Sequence, residues 1–119
     1  MNKAILKLAV EEAKKSSYKF RVGAVMFSGS KIINKAYNDP NYIGYLRKHS
    51  RFPTRHAEIM LFHNTFPDCS VDVLVVRVSK KDKLTMARPC KTCMKYLIEK
   101  RVRRVYFTNY DGEIEKIKL

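Results

Sequence analysis

Apolar residues return every three to four positions across residues 2–16. Ile5, Leu6, Ala9, Val10 and Ala13 share one face there, and Lys3, Lys7, Lys14 and Lys15 stay off it. That period predicts an amphipathic helix. The pattern then changes. Residues 20–28 and 31–37 read as two strands around the turn pair Gly29-Ser30, a hairpin signal. Residues 38–53 have no period and hold Asn38, Asp39, Pro40, Asn41, Gly44 and Pro53, which predicts a loop. Thr54 is the expected N-cap of a helix running to about residue 64. Residues 71–79 are β-branched and mostly apolar, as in a buried strand, and residues 80–89 form a second loop of mixed charge. A helix is expected over 90–100 with Met94, Leu97 and Ile98 inward, then a strand over 104–108.

The chain closes on a turn sequence, Asn109-Tyr110-Asp111-Gly112, and a short segment with Ile114 and Ile117. Asp-Gly is a strong hairpin signal. A parallel crossover needs a dozen or more residues, and seven follow Gly112. Any strand in 113–118 should therefore pair antiparallel with 104–108. The order α-β-β-α-β-α-β, with that last short strand, predicts an α/β fold: a three-layer α-β-α sandwich around a mixed sheet of four to five strands.

A length of 119 residues fits one domain spanning 1–119, and 45% hydrophobic residues can fill a core. Pro and Gly number four each, which argues against disorder. The N-terminal helix is no signal peptide, because Lys7 interrupts its apolar stretch and Glu11 and Glu12 follow. The apolar run from residue 73 to 76 is far too short to span a membrane. A cytoplasmic protein is expected, with no membrane partner.

Charge narrows the partners. Twenty-five Lys and Arg against 11 Asp and Glu give +14, with a pI near 9.9. Such a balance points to phosphate-bearing ligands, a nucleotide or a polynucleotide. Arg47, Lys48, Arg51, Arg55 and Arg88 would carry that attraction.

Three pieces of sequence carry chemistry: His56-Ala57-Glu58, Pro89-Cys90, and Cys93. Zinc binds imidazole nitrogen and thiolate sulfur, and three protein ligands leave a fourth position for water, as in catalytic sites. Zinc brings the pKa of such a water toward neutrality, and a nearby carboxylate, Glu58, could move protons. Cys90 and Cys93 stand at i and i+3, on one helix face, and a helix start there favours their thiolates. Pro89 suits the position just before it. His56 and Glu58 are about 200° apart on an ideal helix and can converge only above a helix N-terminus. His63 lies seven residues from His56, roughly 10 Å along the axis, too far to share a metal. His49 could touch phosphate, and Cys69 reads as a small buried residue.

With these motifs in view, the chain resembles the cytidine and deoxycytidylate deaminase superfamily over nearly its whole length. The pattern H-x-E followed by P-C-x-x-C is the known zinc deaminase signature. Arg21-Val22-Gly23-Ala24-Val25 is similar to that family's first strand, Ala36-Tyr37-Asn38-Asp39-Pro40 to the end of its second, and Arg104-Val105-Tyr106-Phe107 to the strand after the metal motifs. The resemblance implies zinc held by His56, Cys90 and Cys93, proton transfer by Glu58, and substrate contacts from Asn38, from the Ala57 carbonyl and from Arg88. It also implies hydrolytic deamination of a cytosine base in a nucleoside or nucleotide. Three features depart from the family pattern: Met60 in place of a common Asn, a longer 80–87 loop, and no long final helix. In that superfamily an antiparallel final hairpin goes with free-nucleoside enzymes, and a parallel crossover with enzymes of nucleotides and polynucleotides.

Two other functions remain open. One is a deaminase of cytosine or adenine in single-stranded DNA or RNA, using basic loops and the rings of Tyr37, Tyr42, Tyr45, Phe52 and Tyr110. The other is a nucleic-acid-binding module with structural zinc, its fourth ligand being Cys69 or His49. A homo-oligomer is also left open.

Overall fold

A computed structural model describes residues 1–17, 20–38, 56–63 and 65–119. The expected loop from residue 39 on, Thr54, and the basic residues Arg47, Lys48, His49, Arg51 and Arg55 lie outside the described residues.

Helix α1 spans Lys3–Lys15. Asn2 caps it, its Oδ1 accepting from the Ala4 amide at 2.8 Å. Strands β1 (Arg21–Ser28) and β2 (Lys31–Tyr37) form the expected antiparallel hairpin around Gly29, whose φ of 61° the turn requires. Next come the single-turn helix α2 (Ala57–Met60), strand β3 (Asp72–Val78) and a two-residue strand β4 (Leu84–Thr85). Helix α3 (Lys91–Glu99) then leads to strands β5 (Arg104–Thr108) and β6 (Ile114–Lys118).

The sheet runs in the order β2-β1-β3-β5-β6, with β4 paired to β3 off that path. It is mixed: β3 and β5 are parallel, joined through α3, and the other pairs are antiparallel. β6 turns back on β5 as its turn sequence predicts, with Arg104 opposite Lys118 and Thr108 opposite Ile114. Asn109 makes that turn, its Oδ1 accepting from the amides of Asp111 and Glu113, each at 2.9 Å.

Period-two alternation in the strands builds two cores, one per face. Ala24, Met26, Val73, Val75, Val105 and Phe107 pack with Ala57, Leu61 and Leu97, the α2 and α3 side. Val25, Phe27, Leu74, Val76 and Val78 pack with Ile5, Ala9 and Ala13 of α1. Three layers result, as expected.

Three local expectations are corrected. Among the described residues, the helix expected from Thr54 to about residue 64 is α-helical over Ala57–Met60, with His56 as its N-cap. Beyond Leu61 the amides of Phe62, His63 and Thr65 reach back three residues, to Ile59, Met60 and Phe62, which tightens the chain into successive turns. Ile98 is 57% exposed, because α3 buries Cys93 and Leu97, and Ile98 follows one position off that stripe. Cys69, expected buried, is exposed in the loop before β3.

Candidate active site

The two metal motifs begin two helices, and both helices sit on one face of the sheet. His56 holds the N-cap position of α2 in extended backbone conformation (φ −66°, ψ 140°), and Cys90 holds that of α3 (φ −66°, ψ 166°). N-cap side chains usually bend back onto the helix amides. Neither His56 nor Cys90 does so, and both are turned to other use. Cys93 follows in the first turn of α3 and is completely buried.

The three side chains meet. Their ligand atoms all lie within 4.8 Å of one another, and His56 Nδ1 is 3.1 Å from Cys93 Sγ. Bond lengths of about 2.1 Å to nitrogen and 2.3 Å to sulfur put neighbouring ligand atoms around a tetrahedral zinc about 3.6–3.8 Å apart. The 3.1 Å approach is a little shorter than that and the 4.8 Å limit is longer, and one imidazole with two thiols is a donor set zinc favours. The residues fit the ion. Among the described residues Cys69 is not part of this group.

Glu58 sits in the first turn of α2, buried, with 5% of its surface exposed. Burial pushes its carboxyl above the ordinary carboxylate range. A hydrogen bond from its own amide, the nearby His56 and the Cys93 thiol act the other way. Burial likewise pushes the Cys93 thiol far up, and the neighbouring Glu58 and Cys90 add to the rise. Glu58 thus stands, desolvated, beside the thiol of Cys93. Strongly shifted groups of this kind concentrate at functional sites.

The sequence-predicted substrate residues are placed as follows. Asn38 ends β2 and is buried. Its Oδ1 accepts from the Val22 amide at 2.9 Å, and its Nδ2 donates to the Phe20 carbonyl at 2.5 Å. The Ser16 hydroxyl donates to its backbone carbonyl at 2.8 Å. The Ala57 carbonyl accepts from the Leu61 amide at 3.2 Å inside α2. The Ala57 amide, at the first helical position, has no carbonyl within the helix to meet. Arg88 is exposed just ahead of Pro89-Cys90, its guanidinium 5.9 Å from the centre of the Phe107 ring. Tyr37 is half-buried and Tyr110 is 78% exposed, while His63 is exposed. Among the described residues no helix is long and apolar enough to cross a membrane.

One residue at this end of the sheet belongs to no sequence motif: Arg77, a lone cation near the end of β3. Its signal was the charge itself, interrupting an apolar strand.

Similar structures are known. The apo form of dCMP deaminase from the cyanophage S-TIM5 superposes with a TM-score of 0.62 at 20% identity, covering 92% of this chain and 84% of that one. The same enzyme in complex with dCMP and dUMP gives 0.57 at 18% identity, over 92% and 85%. At such identities the likeness shows the shared fold. No curated protein sequence matches the chain significantly. The sequence profile of the cytidine and deoxycytidylate deaminase zinc-binding region matches residues 1–109, which takes in both metal motifs, and the chain therefore belongs to that deaminase family.

Proposed function

We propose that this chain catalyses the hydrolytic deamination of a cytosine base in a free nucleoside or nucleotide, with zinc as cofactor. In that reaction water is consumed, a C–O bond replaces the bond to the exocyclic amine, and ammonia and a uracil product leave. The observation that carries the reading is the meeting of His56, Cys90 and Cys93 with a buried Glu58 beside Cys93.

His56, Cys90 and Cys93 would hold the zinc, which when bound would supply the Lewis acidity that activates water near neutral pH. The chain's own residues supply the rest. Glu58, with a carboxyl made more basic by burial, would take one proton from the attacking water and give it to the ring nitrogen, then take the second from the newly added hydroxyl and give it to the leaving amine. With 5% of its surface exposed, Glu58 is shielded from bulk water. Asn38 is held rigid by two backbone bonds, and a second amide hydrogen and a second Oδ1 lone pair are what it would offer a sugar or base. Ala57 would meet the base through its backbone, and Arg88 would meet a phosphate.

A net charge of +14 favours a second substrate class, single-stranded DNA or RNA. The structural-zinc reading gives Glu58 no task, and the exposed Cys69 stands apart from the ligand group. One assay separates these functions. Zinc-loaded protein is offered deoxycytidine, dCMP and a single-stranded cytosine-containing oligonucleotide, and ammonia release is followed. Turnover of the free compounds above the oligonucleotide is expected. Turnover of none of the three overturns the proposal.

A further inference from the structure

β3 is apolar from Val73 to Val76 and ends on Val78, yet Arg77 stands between them, half-buried. A cation in a central strand pays a desolvation cost unless something answers it. Among the described residues nothing acidic does. The ion pairs there join Glu12 to Lys15 and Lys35, Asp82 to Arg21, and Asp72 to Arg103 and Arg104. The Arg77 guanidinium lies instead over the ring of Phe20, 4.4 Å from its centre.

Its position explains what the charge is for. Val73 and Val75 face the α2 and α3 side, so the period of two turns Arg77 to that side as well. Val22 of β1 and Thr85 of β4 stand opposite it in the sheet. Both helices start toward this end. The Asn34 Nδ2 reaches the Leu61 carbonyl past the far end of α2, which leaves His56 toward Tyr37 and Asn38. The Val102 amide donates to the Leu97 carbonyl below β5, and the Ala87 amide donates to Thr108 at its top, which leaves Cys90 at the top. Asn38 ties the parts together, because the two backbone groups it holds belong to Val22, which faces Arg77, and to Phe20, which carries the ring.

We propose that Arg77, held over the Phe20 ring at the carboxyl end of β3, binds the phosphate monoester of a mononucleotide and makes the site prefer a nucleotide to a nucleoside, the reverse of the preference that the antiparallel β5–β6 hairpin implies by family resemblance. A guanidinium whose partner is a ring face and not a carboxylate keeps N–H donors for a bidentate bond to phosphate oxygens. Its recessed place between β1 and β4 suits a terminal phosphate, whereas a continuing strand needs an open groove. The identity of the base rests on the deaminase reading above, and the phosphate contact does not.

The experiment compares Arg77→Gln and Arg77→Lys with the wild type in two assays. The first measures the ratio of kcat/KM for dCMP to that for deoxycytidine. The second measures the ratio of affinities for dUMP and deoxyuridine by calorimetry, without turnover. In Arg77→Gln both ratios should fall about 10- to 100-fold, chiefly through KM in the first, as for a hydrogen bond to a charged group. Arg77→Lys should fall between, since it keeps the charge and loses the flat fork. Ratios unchanged in both variants, or an equal loss for both members of each pair, overturn the proposal. An equal loss for a single-stranded oligonucleotide would assign the contact to a diester and overturn it too. Wild-type protein that turns over neither compound yet binds dUMP through Arg77 would sink the deamination reading and leave the phosphate site standing.

Discussion

His56 Nδ1 lies 3.1 Å from Cys93 Sγ, although the two residues are 37 positions apart and belong to different helices. Such an approach between an N-cap imidazole and a buried thiol uses up both groups for one task. With Cys90 beside them, the expected outcome is one zinc per chain. Cys93→Ser should weaken zinc affinity by more than the about 10–100-fold typical of changes to groups that only support a ligand. Cys69→Ser should leave it unaltered, because Cys69 is exposed and outside the group. Thiols bind zinc as thiolates, so loading should release protons and strengthen as pH rises. Competition against a chelator reads all three. Zinc absent from purified and reconstituted protein would sink the assignment.

Glu58→Gln keeps the shape of the side chain and removes its base. Turnover should drop by at least about a hundredfold, the low end of what general acid–base groups supply. Zinc content and melting behaviour should survive, because the proposed ligands are His56, Cys90 and Cys93. A variant with near-normal turnover would reject the proton-transfer role.

The cluster of His56, Cys90 and Cys93 was legible because local spacing encodes it. Cys90 and Cys93 share a face whatever the rest of the chain does, and His56 with Glu58 could converge only at a helix start, where α2 and α3 place both motifs. The strand alternation also gave the two cores. What local spacing does not encode was missed. Strand β4 has two residues, too few to show a period, and exists only because Arg77 and Val78 offer an edge. The end of α2 depends on where Leu61 and Phe62 find space under the sheet, so three-residue turns replaced the expected helix. Arg77 carried charge without a motif, and only the fold brings Phe20 to it.

Gly23 should not tolerate any side chain. A Cβ there would stand 2.2 Å from the Ala9 carbonyl oxygen and 2.5 Å from the Ala13 amide nitrogen of α1. Both are backbone atoms, so no smaller residue on α1 can make room, and the helix must move off the sheet. Gly23→Ala is expected to cost about 1–3 kcal/mol or more, the range for overpacked cores. Chemical denaturation measures it. Wild-type stability in that variant would contradict the helix–sheet contact.

Asp82 offers a test of pH dependence. A hydrogen bond and then the charge of Arg21, at 2.7 Å, hold its carboxyl below the usual carboxylate range. A depressed folded value means the pair's contribution is present above the ordinary Asp value and is lost as pH falls through the lower folded one. Asp82 also has a φ of 58°, a conformation Asn tolerates, so Asp82→Asn changes charge and keeps the turn. The variant should melt slightly below wild type at neutral pH and level with it once the pH has fallen below the depressed folded value. A gap that persists in acid would trace the loss to the turn and not to the ion pair.

Salt separates the two substrate classes by counting phosphates. A mononucleotide held by Arg77 and Arg88 displaces few counterions, so the log of dUMP affinity should fall with log salt at a slope on the order of −1. A single-stranded oligonucleotide lying on a basic track would add about −0.7 for each phosphate neutralised. The excess of 25 Lys and Arg over 11 Asp and Glu makes some weak, steeply salt-dependent oligonucleotide binding inevitable at low ionic strength. The informative comparison is therefore near physiological salt, where screening shortens the reach of that charge to about 8 Å and contacts in the site must carry the affinity. There dUMP should bind more tightly than an oligonucleotide without a terminal phosphate. If instead the oligonucleotide binds more tightly there, with a slope of about −4 or steeper, the substrate belongs to the polymers. Affinities for both that ignore salt would make the net charge a solvated surface with no part in recognition.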